Sequence, residues 1–549
     1  MSTTTMMTSR PERGSSCGAE AFAGTGTLVR FILRRDRVRI PVWIAAIVGS
    51  LAGVAQSYSD TYPTQADLDS RSELADNPIF IAFNGPGYGL DNYTFGAMVA
   101  NESLYIAVIL VALMSTFLVI RHTRAEEESG RAELVRSGVV GRHAATASTL
   151  LVVAALNLVV GLLTAAALSS LDRLDGAGSL TYAMSMAAAG LVFMAVATMA
   201  AQVTEYARGA VGVGVAVLGA TYLVRAVGDV SETGLSWVSP FAWSLETRAF
   251  VDERWWPLLL SLALTIVLVT GAMALSVRRD VGAGLVPPRP GPPLASNWLV
   301  HPLGLAFRLQ RAGLVAWAVG LAVLGAAFGP MVEDVEEFAA DNEQVQEIFV
   351  RAGDTTFVES FLSTVTAMMA LIATGFAIQS ALRVRAEEIS GRAEPLLTTA
   401  LTRTRWGAGY LVVAMAGSAM VMLTGSLALG VTASVTQADT SLWLELFAGG
   451  LVQVPAMWVV IGVAFALFGL APRLAQAAWL LLAYGVVVDL MGPALGMPDV
   501  AHNLSPFGHV PRIPGDAFTA TPMLILMVLA AALLSAGLAG FRRRDVHTT

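Results

Sequence analysis

Lysine is absent from this sequence of 549 residues, so all 34 of its permanently positive side chains are arginines. A nucleotide-binding loop of the form Gly-x-x-x-x-Gly-Lys-Ser/Thr needs a lysine that reaches the phosphates, so the chain cannot form one. The single cysteine, Cys17, excludes a disulfide framework within the chain. The six histidines show no spacing typical of a metal site. We therefore expect this chain to be no enzyme and to hold no cofactor or metal.

Charged residues are also scarce, because they make up 14% of the sequence against 55% hydrophobic residues, with a mean hydropathy of +0.64. Soluble domains carry about 25% charged residues. The sequence instead contains apolar runs of about 20 residues, the length that a helix needs to cross about 30 Å of hydrocarbon. We predict an all-α polytopic membrane protein with twelve transmembrane helices, near residues 40–58, 101–120, 145–170, 180–203, 210–230, 257–277, 312–332, 359–382, 407–433, 444–470, 477–496 and 520–541.

The arginines are unevenly distributed along this topology. With both termini inside the cell, one arginine falls in a predicted span (Arg225) and external loops hold only Arg71, Arg173, Arg248, Arg254, Arg351 and Arg512. Because positive loops stay on the cytoplasmic side, we expect a multi-pass protein of the cell membrane with both termini cytoplasmic. The net charge of −7 comes largely from acidic external loops. A nucleic-acid partner, which would need a basic patch, is not expected.

A charged motif occurs twice in the chain. Arg124–Glu133 reads RAEEESGRAE, and Arg385–Glu394 reads RAEEISGRAE, so nine of ten positions match. A Ser-Pro-Phe sequence also precedes the last span of each half, at Ser239 and at Ser505. Repeats in register indicate two copies of one unit. We predict two pseudosymmetric halves of six helices each.

The domain boundaries follow from composition. Residues 1–19 predict a disordered cytoplasmic tail, 20–279 the first half, 280–300 a cytoplasmic linker rich in proline, and 301–549 the second half. Residues 20–39 mix apolar residues with arginines, which is typical of an interfacial amphipathic helix. Arg34, Arg37 and Trp43 match Arg308, Arg311 and Trp317 at a constant offset. This match predicts that both halves enter the membrane alike.

The first loop of each half is long enough to fold on the outside. Residues 59–101 carry many Asp, Gly, Pro and Tyr residues and predict a folded external cap. The matching loop, 333–356, is shorter and acidic, and its apolar residues have the spacing of an amphipathic helix. We interpret its acidic run as a solvated face rather than a cation site.

The duplicated motif is predicted to form a short helix-turn-helix at the cytoplasmic end of a span. Its charges are consistent with simple anchoring, in which arginines hold the span ends and glutamates neutralise them locally. Anchoring does not require the same charges, glycine and length in both halves. We therefore favour the docking of each copy onto an equivalent partner surface.

At these residues the chain resembles the permeases of the type-2 ATP-binding-cassette family, and especially the fused twelve-span exporters of polyketide antibiotics (tetronasin-type). The resemblance covers nearly the whole chain. It implies outward transport of hydrophobic or amphiphilic drugs, energised by a separate ATPase that holds ATP and Mg. Because the duplication already supplies both halves, we expect one copy of this chain to bind two copies of the ATPase. The docking residues it implies are Arg124, Glu126, Glu127, Gly130, Arg131 and Glu133, with Arg385, Glu387, Glu388, Gly391, Arg392 and Glu394. Pro395 departs from Leu134 of the first copy, so the two docking helices need not be equivalent.

Polar residues within the predicted spans are few, and such residues mark transport pathways. Arg225 and Asp489 lie at almost equal depth in the fifth and eleventh spans, which predicts a gate between the halves. The alternative is a local pair of Arg225 with Asp229, one turn further on, which leaves Asp489 facing a water-filled cavity. Gln379 and Gln453 are weaker pathway candidates.

Two other classes of protein fit parts of the pattern. A secondary drug transporter of the major facilitator type also has six plus six spans, but its Gly-x-x-x-Asp-Arg-x-Gly-Arg loop is missing after the second span. A membrane sensor or scaffold could use the external caps to capture a ligand without transport. An ATPase that accompanies the chain would separate the exporter from both.

Overall fold

The computed structural model describes residues 20–75, 78–280, 282–287, 291, 293–333, 335–336, 357–491 and 498–544. These residues contain helices and no strand, which confirms the all-α class. The chain divides into two compact units, Met1–Pro290 and Gly291–Thr549. The predicted disordered tail, 1–19, lies outside the described residues, as does nearly all of the acidic loop 333–356 with its predicted helix.

In the first unit the described α-helices are α1 (Thr25–Arg35), α2 (Arg39–Thr61), α3 (Gln65–Ala75), α4 (Pro78–Asn84), α5 (Phe95–His122), α6 (Arg124–Glu128), α7 (Arg131–Arg136), α8 (Ala144–Ser169), α9 (Gly176–Val203), α10 (Ala207–Val230), α11 (Pro240–Leu245) and α12 (Pro257–Ser276). Side-chain caps begin two of the long ones. Thr94 accepts from the backbone N–H of Ala97, and Asp175 accepts from that of Gly178. Short 3-10 helices follow at Leu90–Asn92 and Gly234–Val238.

In the second unit they are α13 (Pro302–Phe328), α14 (Phe357–Ala381), α15 (Arg383–Ile389), α16 (Ala393–Leu397), α17 (Arg403–Gln437), α18 (Leu442–Leu470), α19 (Ala478–Gly485), α20 (Asp499–Leu504) and α21 (Ala520–Arg543). A π-helix, Val486–Met491, continues α19. Short 3-10 helices lie at Asn297–Val300, Pro472–Ala477 and Phe507–His509.

Eleven helices of the described residues are long and apolar enough to cross a membrane, so the protein is polytopic. The predicted span at 477–496 is the exception. It forms the eight residues of α19 and then the π-helix, and 492–497 lie outside the described part. Three consecutive valines from Val486 have low helix propensity, and Asp489 accepts a hydrogen bond from Ser505 Oγ at 2.6 Å. Both features disfavour a continuous α-helix here.

The fourth span is the centre of each unit. In the first unit α9 packs against α5, α8, α10 and α12, and in the second unit α18 packs against α14, α17 and α21. Lipid gives helices no hydrophobic reason to associate, so small residues that permit close contact decide where they cross. A Cβ on Gly469 would lie 2.1 Å from the carbonyl oxygen of Gly537. The fourth and sixth spans of the second unit therefore cross at a separation that only glycine permits.

The two units differ where the chain enters its first span, so the prediction that both halves enter alike is wrong in this respect. A turn separates α1 from α2, whereas α13 is one continuous helix. Pro41 lies in the first turn of α2, where the N–H that proline lacks would have no partner within the helix. Asp36, in the turn, is buried and contacts His122 Nε2 at 2.5 Å. In the second unit Gln310 stands at the position of Asp36, and its contact from Ser380 Oγ to Gln310 Oε1, at 2.6 Å, does not interrupt the helix.

The first loop of the first unit is folded, as predicted, and we call α3 and α4 the first-loop cap. Arg71 of α3 donates from Nε and Nη2 to the two carboxylate oxygens of Glu102 in α5, at 2.7 and 2.9 Å. The hydrogen bond to Glu102 raises the pKa of the Arg71 guanidinium above its usual value. This ion pair fixes α3 to the second span.

Candidate functional site

Both charged motifs form the predicted short helix-turn-helix. In the first, Gly130 separates α6 from α7 with φ +74°, and in the second, Gly391 separates α15 from α16 with φ +71°. This left-handed conformation strains any residue that has a Cβ. Among the residues that the structure describes, and apart from the two chain neighbours of each glycine, no group lies within 4 Å of a Cβ built on Gly130 or Gly391. The backbone turn alone therefore requires glycine at these positions.

Arg124, the first residue of the first motif, lies inside the unit, with its side chain 0% exposed. It donates to the carbonyl oxygen of Glu205 at 2.6 Å, which follows the fourth span, and to those of Gly282 and Ala283 at 2.7 and 3.1 Å. The backbone N–H groups of Leu285 and Val286 bond to the last turn of α9. Arg124 thus fixes the first residues of the linker beside the fourth span.

The glutamates of the first motif are also paired within the unit. Glu126 lies 2.7 Å from Arg35 of α1 and 3.6 Å from Arg131. Glu127 lies 2.7 Å from Arg124 and accepts two bonds of 2.8 Å from Arg279, which follows the last span of the unit. The motif is therefore held to both the fourth and the sixth spans.

The second motif repeats this arrangement with fewer contacts. Arg385 donates from Nε to the carbonyl oxygen of Pro472 at 3.0 Å, again just after the fourth span of the unit. Glu387 lies 2.7 Å from Arg383 and 3.5 Å from Arg392. Glu388 accepts two bonds, of 2.7 and 2.6 Å, from Arg544 at the end of the last span.

Sequence reasoning missed Arg279 and Arg544. A signal for them is present, because Arg-Arg-Asp-Val occurs at 278–281 and again at 543–546, after the last span of each half. The pattern is short and stands far in sequence from the motifs, so its connection with their glutamates became visible only in the structure.

Part of each motif faces solvent, and we call this part, together with the exposed residues that follow the first motif, the docking surface. In the first unit it contains the apolar side chains of Leu134 and Val139, which are 77% and 98% exposed, and in the second that of Ile389, 55% exposed. None of these three was among the predicted docking residues, of which Gly130, Arg131, Glu133, Gly391, Arg392 and Glu394 are exposed. The structure thus divides the predicted docking residues into an exposed set and a set that is buried or half-buried.

Arg225, in α10, is fully buried beside the first-loop cap. Its guanidinium donates to the carbonyl oxygens of Ile81, Ala82 and Phe83, each at 3.0 Å. These carbonyls belong to the last turn of α4, where backbone acceptors lack partners further along the helix. That of Ile81 also accepts from the backbone N–H of Gly85 and that of Phe83 from Tyr222 Oη at 2.8 Å. Asp229 lies 3.5 Å away, so the local pair that the sequence suggested is present. Arg225 therefore caps α4 and joins the cap to the fifth span.

The other predicted pathway residues lie in the second unit. Half-buried Asp489 bonds to Ser505, as described above, and its predicted approach to Arg225 stays a prediction. Exposed Gln379 accepts from Trp317 Nε1 at 3.0 Å. Gln453 is buried in α18, and its Oε1 has no hydrogen-bond partner among the described residues.

Two comparisons place this architecture among known proteins. The profile of the family described as "Multidrug efflux system permease Rv1217c, C-terminal domain" matches residues 31–275 and 299–542, so each matched range contains one charged motif. "Multidrug efflux system permease protein Rv1217c" of Mycobacterium tuberculosis (strain ATCC 25618 / H37Rv) is 41% identical over 542 residues, 98% of this chain and 97% of the relative. The chain therefore belongs to the family of the multidrug efflux system permease Rv1217c.

Proposed function

We propose that this chain is the permease of a drug exporter, which moves hydrophobic or amphiphilic compounds out of the cell across the plasma membrane. The observation that carries the proposal is the 41% identity, over nearly the whole chain, to a protein named as a multidrug efflux permease. The membrane-spanning helices support it. The chain has no lysine for a nucleotide-binding loop, so its energy comes from a separate ATPase of the type-2 ATP-binding-cassette kind.

The docking surface is where we place this ATPase. Two copies of the motif, each with an exposed left-handed glycine turn, offer equivalent places for two ATPase subunits on one permease chain, with ATP and Mg bound on the ATPase. Exposed apolar side chains beside charged ones are typical of a protein interface. The buried residues Arg124, Glu127 and Glu388 contribute indirectly, by holding the docking surface in place.

Inside-out vesicles test the proposed transport. With this chain and its proposed ATPase, we expect ATP to drive accumulation of hydrophobic drugs, and vesicles that lack the ATPase should accumulate none. Uptake that needs a proton gradient and no ATPase would instead support the secondary transporter. Drug binding without uptake under either condition would support the sensor.

A negative charge introduced on the docking surface should weaken binding of the ATPase. We expect Leu134→Asp and Ile389→Asp each to weaken copurification of the ATPase about tenfold or more, because a buried carboxylate without a partner opposes an apolar contact. Val238→Asp, at a 70% exposed valine of the loop between the fifth and sixth spans, is the matched control. Unchanged copurification in a chain that carries both substitutions would contradict this docking site.

A further inference from the structure

We propose that two buried ion pairs, Glu127 with Arg279 and Glu388 with Arg544, are equivalent latches that transmit movement of each docking surface to the last span of its own unit. The proposal rests on the proposed function, because it concerns how ATPase docking acts on the spans. The four residues are positioning residues, and they lie outside the exposed surface that would touch the ATPase.

The geometry of the two latches is nearly the same. In each, both Nη atoms of one arginine donate to the two oxygens of one carboxylate, at 2.8 and 2.8 Å in the first unit and at 2.7 and 2.6 Å in the second. The four side chains are between 6% and 15% exposed. Two parallel hydrogen bonds of this kind fix both the distance and the orientation between the guanidinium and the carboxylate, whereas a single hydrogen bond does not fix the orientation. Burial also protects the pair from screening by salt.

Stability alone does not account for these pairs. Removing two charges from water costs about as much as their attraction returns, so a buried ion pair is weak evidence of stabilisation. Other contacts of the motifs have diverged, since Glu126 pairs with Arg35 of α1 whereas Glu387 pairs with Arg383 of its own helix. The latch joins the same motif position to the end of the same span in both units. The presence of this ion pair in both units, where other contacts differ, therefore indicates a role that both copies of the motif share.

The position of each latch explains what it transmits. Glu127 lies three residues before Gly130, and Glu388 three residues before Gly391, so each latch lies one helical turn from the exposed glycine turn. The first arginine of each motif holds the end of the fourth span, through the carbonyls of Glu205 and Pro472. A displacement of the docking surface thus reaches the central span and the last span together.

Neutral and conservative variants test the latch. We expect Arg279→Gln, Arg544→Gln, Glu127→Gln and Glu388→Gln each to lower drug transport per ATP hydrolysed about tenfold, a typical coupling between sites, while the ATPase still copurifies. Arg544→Lys and Arg279→Lys keep the charge and lose the two parallel hydrogen bonds, so they should retain intermediate transport. The measurement is drug uptake and ATP hydrolysis by the reconstituted complex.

A second measurement needs no ATPase. Trypsin should cleave after exposed Arg131 faster in Glu127→Gln than in the unchanged chain, because the motif is released from the last span. The control for both measurements is Asp252→Asn, which breaks an exposed pair with Arg248 and Arg254. Normal transport by the glutamine variants, or unchanged cleavage, would overturn the latch in a transport-competent preparation. An unchanged chain that moves no drug with its ATPase would overturn the proposed function and the coupling role with it.

Discussion

Replacing Arg225 with alanine is expected to lower the free energy of unfolding of the first unit by about 3–5 kcal/mol, the usual cost of removing one partner from a buried charged group. The change leaves Asp229, whose side chain is 5% exposed, without its cation. It also removes the Arg225 donor from three carbonyls at the end of α4, of which those of Ile81 and Phe83 keep a bond from Gly85 N–H and from Tyr222 Oη. Thermal unfolding of the detergent-purified protein measures the loss. Arg254→Ala, at a 38% exposed arginine, should leave the unfolding temperature nearly unchanged.

Arg225 has two interpretations with different outcomes. If Arg225 and Asp489 form a gate, Asp489→Ala should impair transport as Arg225→Ala does, and the exchange Arg225→Asp with Asp489→Arg should restore part of it. If Arg225 is a cap for α4, Asp489→Ala should be mild and the exchange should rescue nothing. We expect the second outcome, because the described contacts of Arg225 already satisfy its charge. Arg225→Ala with normal thermal stability would contradict the capping role.

Arg124→Ala should be the more damaging of two equivalent substitutions in the motifs. Arg124 donates to three backbone carbonyls and to Glu127, and hydrogen bonds to charged groups contribute about 1.5–3 kcal/mol each. We expect a loss of about 3 kcal/mol or more in the free energy of unfolding. Arg385→Ala removes one bond to a backbone carbonyl and should cost about 1.5 kcal/mol.

The pair of substitutions is its own control, since the two arginines occupy the same position of the repeat. Thermal unfolding and the yield of monodisperse protein measure both. Equal effects of the two variants would show that the additional contacts of Arg124 with Gly282 and Ala283 contribute nothing. Loss of ATPase binding in Arg124→Ala without loss of stability would place this side chain on the docking surface after all.

The features predicted from sequence are those that local pattern encodes. Apolar runs of fixed length gave the helices, and the repeated charges gave the helix-turn-helix with its glycine at Gly130 and Gly391. The partners of the charged side chains are harder to predict, because residue types suggest pairs of side chains and give no sign of a bond to the backbone. Arg225 bonds mainly to backbone carbonyls of α4, which every sequence contains and which no residue type marks. The contact between Arg225 and α4 therefore cannot be predicted without the folded structure of the loop that contains α4.

The differences between the halves have the same physical origin. Pro41 and Asp36 break the entry to the first span, and the valines and Asp489 disturb the predicted span at 477–496. Each is a local signal in the sequence. The prediction of two equivalent halves rests on residues that match at a constant offset and takes no account of these signals. The docking prediction assigns the motif glutamates to contacts with a partner, whereas Arg279 and Arg544 pair with Glu127 and Glu388 from the ends of distant spans.

The linker residues fixed by Arg124 bear on where the chain can be extended genetically. Between Gly282 and Val286 the backbone bonds to the guanidinium and to the last turn of α9, and a Cβ on Gly284 would lie 2.6 Å from the backbone nitrogen of Glu205. Tolerance of inserted sequence depends on the burial and hydrogen bonding of the backbone that it displaces. A fluorescent reporter or affinity tag placed between the halves therefore belongs after Val286, where it leaves these bonds intact.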